Sequence, residues 1–302
     1  METNLDNLKQ QFARIGARLE ISHNQARRTR NSRWQRSHQE APAWSWRNVL
    51  PFSANVRTDK KGEHFTVTLG DNSQVPDFTQ HLKHISVLDS QPQDRHLLLQ
   101  VVLGEGRDKQ VDTLLMGHDE RHWFIASAPG TTVQEAKEAL RPPEVTSALK
   151  RKKVKRSKRN RRKNAAYTRQ GEWFFLPAPE FQTRKFSVTL QNEPLQRGGG
   201  KPHMAEELCR TGGTTVMVSR TAPNGISMDE YNQLPREQQE RPAGRRGGLW
   251  RAMTRDATVY VRGRIRHPDH KTLKLQGWHR VLANTEQVRT GRGRLQTMAF
   301  LD

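Results

Sequence analysis

Six residues in the last third of the chain have side chains suited to metal or acid–base chemistry: His203, Glu206, His267, Asp269, His270 and His279. A neutral imidazole offers an in-plane lone pair and a carboxylate offers hard oxygens. Together they would suit Zn, Mn or Mg and activate water for hydrolysis. His267, Asp269, His270 and His279 fall around one expected hairpin, where His267 and His279 would face each other across the ladder. His203 stands before Glu206 and Glu207, at a spacing that would let one acid share its face of a helix. No established ligand spacing is matched, so two readings stand. One is a metal-dependent nuclease or related hydrolase with a divalent metal. The other takes the histidines as structural or surface residues and needs no cofactor.

Other motifs exclude chemistry. His118-Asp119-Glu120-Arg121-His122 spaces two histidines four apart, as zinc proteases do, but its flanks read as strands, and that motif needs a helix. Gly198-Gly199-Gly200-Lys201 lacks the earlier glycine of a phosphate loop, and Pro202 stands at the Ser/Thr position. No G-x-S-x-G elbow is present. The one cysteine, Cys209, forbids an internal disulfide and a cysteine-based zinc finger, and reads as a small buried residue on a helix.

Cations provide the stronger signal. Lys and Arg number 52 against 31 acids, giving a formal net charge of +21. A field of that size draws in polyanions. The charge is clustered. Arg27, Arg28, Arg30, Arg33 and Trp34 begin an arm that continues to Trp44 and Trp46, a composition suited to phosphates and stacked bases. Residues 150–163 hold eleven cations in fourteen positions: Lys150, Arg151, Lys152, Lys153, Lys155, Arg156, Lys158, Arg159, Arg161, Arg162 and Lys163. Such a block is expected to stay open until a polyanion neutralises it. Tyr260, Arg262, Arg264 and Arg266 alternate along one expected strand face, with no acid among them, and Arg245 and Arg246 lie in a loop nearby.

The elements that must position these groups alternate between helical and strand patterns. Leu5, Leu8, Phe12, Ile15 and Leu19 form a short seam of helical period, which would dock on the protein's own body or on a protein partner. Apolar runs near 64–69, 96–103, 111–116 and 122–128 read as strands, and 131–140 as a helix. Further on, 173–176, 186–190, 214–219, 258–267 and 272–275 read as strands. Residues 202–210 read as a helix opened by Pro202 and stopped by Gly212-Gly213, and Ser227 with Glu230 reads as a capping box.

The expected fold is therefore α+β: two small domains containing antiparallel sheets, joined by a polybasic linker and preceded by an amphipathic helix. The boundaries are 1–49 for the helix and arm, 50–145 for the first domain, 146–169 for the linker and 170–302 for the β-rich second domain. The expected function is nucleic-acid binding, mainly through the phosphate backbone, with little sequence specificity and RNA or single strands favoured over duplex DNA. A basic subunit of a larger nucleoprotein or protein assembly is the third reading, beside the hydrolase. No segment approaches the roughly 20 apolar residues that span a bilayer, so no membrane insertion is expected. The expected location is cytoplasmic, with nucleoid or ribosome association, or nuclear in a eukaryote.

Overall fold

The computed structural model describes residues 4–24, 52–70, 85–103, 110–183, 188–196, 201–240, 249–286, 288–289 and 295–296. It is a mixed structure with several antiparallel sheets. The chain packs as two units, Met1–Leu140 with Arg289–Arg294, and Arg141–Val288 with Leu295–Asp302. Among the described residues no helix is long and apolar enough to cross a membrane.

Unit 1 begins with α1 (Asn4–Arg14) and β1 (Leu19–Asn24), followed by the hairpin β2 (Phe52–Asp59) and β3 (Gly62–Gly70). β1 pairs parallel to β3, in the order β1-β3-β2. A second sheet is an antiparallel meander of β4 (Ile85–Gln91), β5 (His96–Leu103), β6 (Gln110–Asp119) and β7 (His122–Ser127). Helix α2 (Val133–Ala139) follows. β5 is apolar at consecutive positions because both its faces are covered. Leu97, Leu99 and Val101 join the core with Leu8, Phe12 and Ile15 of the α1 segment, while Leu98 packs with Val133 and Ala136 of α2. The seam is thus absorbed by the unit's own core, with Phe12 fully buried and edge-on to Phe65 at 5.5 Å. Of the two expected placements, docking on the protein's own body is the one seen, and the partner-binding alternative is corrected for these buried residues. The helix also ends before Leu19. Gly16, at φ +77°, lets its own N–H reach Ala13 O and lets Ala17 N–H reach Phe12 O, so the glycine stops α1.

Unit 2 is built on a six-stranded antiparallel sheet. Its strands are β8 (Thr168–Gln170), β9 (Trp173–Pro177), β10 (Thr189–Leu195), β11 (His203–Thr211), β15 (Thr258–His267) and β16 (His270–Ala283), in the order β10-β11-β15-β16-β9-β8. Strand β9 shows how two cores are divided by its pleat. Trp173 and Phe175 pack with Leu208, Val261 and Ile265, while Phe174 and Leu176 pack with Val145, Leu149 and Tyr167. Helix α3 (Pro143–Arg151) supplies Val145 and Leu149. A smaller sheet joins β12 (Thr214–Val218), β13 (Ile226–Ser227) and β14 (Arg251–Arg255). The expected capping box of Ser227 and Glu230 opens α4 (Met228–Asn232), and α5 (Arg236–Glu240) follows.

Two expectations are corrected here. Residues 203–211 are a strand, not a helix, and Cys209 is buried on it. Gly212 and Gly213, both at positive φ, turn the chain from β11 into β12. Residues 146–169 are folded into unit 2 rather than left as an open linker. At the end of α3, Lys153 takes φ +49°, its N–H reaches Lys150 O, and Val154 N–H reaches Leu149 O. Val154 and Leu149 then share the buried cluster under the sheet. This helix stop normally uses glycine at the left-handed position.

Candidate nucleic-acid interface and histidine cluster

The polybasic run covers the end of α3 and a compact loop whose backbone is tied down from within. Arg156–Lys158 form a single 3-10 turn. Tyr167, 2% exposed, donates its hydroxyl hydrogen to Arg159 O at 2.5 Å. Arg159 Nε donates back to Val154 O at 3.0 Å. Asn164 Oδ1 accepts from Ala166 N and Tyr167 N, and Arg141 Nη2 donates to Asn160 Oδ1 at 2.7 Å. With the main chain held, the cations point outward. Lys150, Arg151, Lys152, Lys153, Lys155, Arg156, Lys158, Arg161 and Lys163 are exposed, and none of the nine forms an ion pair among the described residues. Arg159 and Arg162 are partly covered. Lys150 and Arg151 also occupy the last turn of α3, where cations meet the negative end of the helix dipole.

The arginine face of β15 is different. The acids missing from its own sequence come from β11. Arg262 Nη2 lies 2.6 Å from Glu207 Oε2, and Arg264 takes Glu206 through its backbone N–H and its guanidinium. Arg264 thereby holds the Glu206 carboxyl below the usual carboxylate range. Arg266 Nη2 donates to Asn192 Oδ1 at 2.5 Å. Tyr260 is stacked on Phe181 with centroids 3.8 Å apart, and Arg262 lies over Trp278 at 4.8 Å. The expectation of an acid-free phosphate track with an open stacking ring is therefore corrected: cross-strand partners neutralise Arg262 and Arg264, and Phe181 covers one face of Tyr260. Phe181 and Trp278 carried no sequence signal of their own for this cluster.

Arg27, Arg28, Arg30, Arg33, Trp34, Trp44, Trp46, Arg245 and Arg246 lie outside the described residues, as does the 198–200 glycine turn.

Of the six metal or acid–base candidates, three converge. β11 pairs with β15 so that Met204 opposes Arg266, which brings His203 beside His267. The hairpin between β15 and β16 then pairs His267 with His270. One ligand atom from each ring lies within 4.8 Å of the others. The ring centroids of His203 and His267 are 4.2 Å apart and those of His267 and His270 are 4.7 Å apart. His203 is 1% exposed, and neither of its ring nitrogens has a hydrogen-bond partner among the described residues. Burial, with the neighbouring His267 and His270, lowers its pKa to about 3, so the ring is neutral at ordinary pH. His267 Nδ1 accepts from Asp269 N at 3.1 Å, and its Nε2 lies 3.3 Å from Lys201 O. Lys201 Nζ grips both oxygens of Asp269, at 2.9 and 2.8 Å.

The other three do not join as ligands. Asp269 is adjacent but spent on Lys201, and Glu206 is spent on Arg264. His279 pairs with Val261 rather than His267, and its Nδ1 lies 3.1 Å from Gly277 O. The hairpin closes directly after His267, whose partner is His270, so His279 falls six residues from His267 along β15, opposite Val261. Lys201 and Gly171 are the neighbours that the spacing of the histidines did not reveal. Elsewhere, the strand expected at 111–116 runs on as Gln110–Asp119, so His118 lies on β6 and His122 on β7, and His122 Nδ1 is 2.6 Å from Glu63 Oε1.

No family model, curated protein or solved structure matches this chain.

Proposed function

We propose that this protein binds nucleic acid through the phosphate backbone, with residues 150–163 as the principal contact and little sequence specificity. The observation that carries this reading is the set of nine exposed cations without acid partners among the described residues, mounted on the end of α3 and a following loop whose backbone is already fixed. A cation already neutralised by a carboxylate gains little from a phosphate, whereas these nine have no carboxylate beside them among the described residues. A fixed backbone also lowers the ordering cost of binding. Each phosphate contact releases counterions, so affinity would fall steeply with salt. Arg262 and Arg264, paired to Glu207 and Glu206, contribute less to this reading.

The test is fluorescence anisotropy with labelled single- and double-stranded RNA and DNA across a salt series. The wild type is compared with a Lys152→Ala, Lys153→Ala, Lys155→Ala, Arg156→Ala variant. Each lost phosphate contact would flatten the log–log salt slope by roughly 0.7 on single strands and 0.9 on duplex DNA. Unchanged affinity and slope in the variant would overturn the assignment of the interface. Stronger binding to single strands or RNA would identify the preferred ligand form.

A further inference from the structure

We propose that His203, His267 and His270 form a site for a divalent transition-metal ion of the zinc class, with a coordination position left for water or a ligand. The three ligand atoms already lie within 4.8 Å of one another. Tetrahedral zinc with bonds of about 2.0–2.1 Å would bring them to roughly 3.4 Å. A shift of that size needs ring rotation and small side-chain movements, not a new backbone path. The rings of His203 and His267 lie 25° apart and stacked, so an ion on the in-plane lone pairs would turn them.

Simple packing of three imidazole rings does not account for His203. Its ring is 1% exposed, and both nitrogens are buried without a partner among the described residues. Such groups are ordinarily satisfied by protein, water or an ion. His267 already has an outer contact of the kind that metal-bound histidines use: one nitrogen lies against a backbone carbonyl, Lys201 O. With Nε2–H donated there, the Nδ1 lone pair that now accepts Asp269 N–H is the one an ion would take.

Ligand chemistry selects the metal. Asp269 is held by Lys201 and Glu206 by Arg264, leaving an all-imidazole set. Imidazole suits Zn, Cu, Co and Ni, whereas Mg and Ca require oxygen. Gly171 adds a steric condition. It sits at φ +55°, and a Cβ there would stand 3.3 Å from His270 Nε2 and 3.4 Å from His203 Nε2. The missing side chain keeps the space beside those two nitrogens clear. Three protein ligands leave one tetrahedral position open, as in zinc sites that bind water.

The test uses the full chain without a histidine tag and without nucleic acid, so it is independent of the binding reading. Protein is dialysed against excess Zn2+ or Mg2+, freed of loose ions and assayed for metal by mass spectrometry. Co2+ substitution is followed by visible absorption. The expected result is one Zn2+ per chain, no retained Mg2+, and the intense visible bands of four-coordinate cobalt. His203→Gln and His270→Gln would each weaken zinc binding more than ~100-fold, beyond the range that outer contacts usually cost. His270 lies at a partly exposed hairpin end, so its variant keeps the test open if His203→Gln misfolds. His122→Gln, in unit 1, should leave zinc binding unchanged. Absence of stoichiometric zinc, zinc retained in both cluster variants, or equal loss in His122→Gln would overturn the site.

Discussion

The carboxylate of Glu206 fills the space in which a Cβ on Gly263 would stand, with Oε2 2.7 Å from that point. Opposite Glu206, β15 has one extra residue, and Gly263 adopts φ +82° to make the bulge. The bulge frees Arg264 N–H to meet Glu206 Oε2 at 2.7 Å. Gly263→Ala should therefore destabilise unit 2 by about 1–3 kcal/mol, through backbone strain and displacement of Glu206. A urea denaturation midpoint measures it. Adding Glu206→Ala should return part of the loss, because the two changes share one contact.

Asp59 gives a pH prediction in unit 1. Arg18 donates to both its oxygens, at 3.0 and 2.7 Å, and Lys61 N–H adds a third contact. Those bonds hold the Asp59 carboxyl far below its ordinary value, with the Arg18 hydrogen bond the largest cause. The folded state thus releases this proton more readily than the unfolded state. Its stabilising effect is full above the usual carboxylate range and is lost as the pH falls toward the folded value. Carboxyl NMR titration should find the depressed midpoint, and Arg18→Gln should move it up toward normal.

Tyr167→Phe removes the hydroxyl that holds Arg159 O in the polybasic loop. The expected cost is about 1 kcal/mol, with the carbonyl left under-satisfied. Hydrogen exchange should quicken across residues 154–163 while the sheet amides stay protected. Nucleic-acid affinity should fall only slightly, because all eleven cations remain.

At the start of α2, Thr132 Oγ1 accepts from Glu135 N at 3.1 Å, and Asp89 Oδ2 from β4 accepts from Val133 N at 2.8 Å. Thr132→Ala and Asp89→Ala should each cost about 1 kcal/mol by thermal or chemical denaturation. Their effects should not be fully additive, since both satisfy the same helix end.

The sequence was most legible where local pattern and final environment agree. Thr258–His267 alternates and forms that strand, and the Ser227–Glu230 capping box opens its helix. β11 was misread because Pro202 and Gly212-Gly213 mimic helix punctuation, and the adjacent Glu206 and Glu207 disguise the strand alternation. Both are drawn to arginines of a strand more than fifty residues away. The folded end of α3 was hidden because Lys153, not glycine, takes the left-handed position, and because repulsion among the cations argues for an open chain. Among the histidines, His267 and His270 were legible as hairpin neighbours. His203 joins them only through strand pairing, which sequence spacing does not encode.

The parallel match of Leu19 with Phe65 has a consequence for synthesis. α1 leaves the ribosome before β3 exists, and Phe65, on which Phe12 packs, in turn lies against Trp123 of β7. Until those rings emerge, the nascent chain presents Leu8, Phe12 and Ile15 on a helix with nothing to cover them. Native docking of this helix thus waits for the later strands. During that interval, holding chaperones would find an apolar target on this helix.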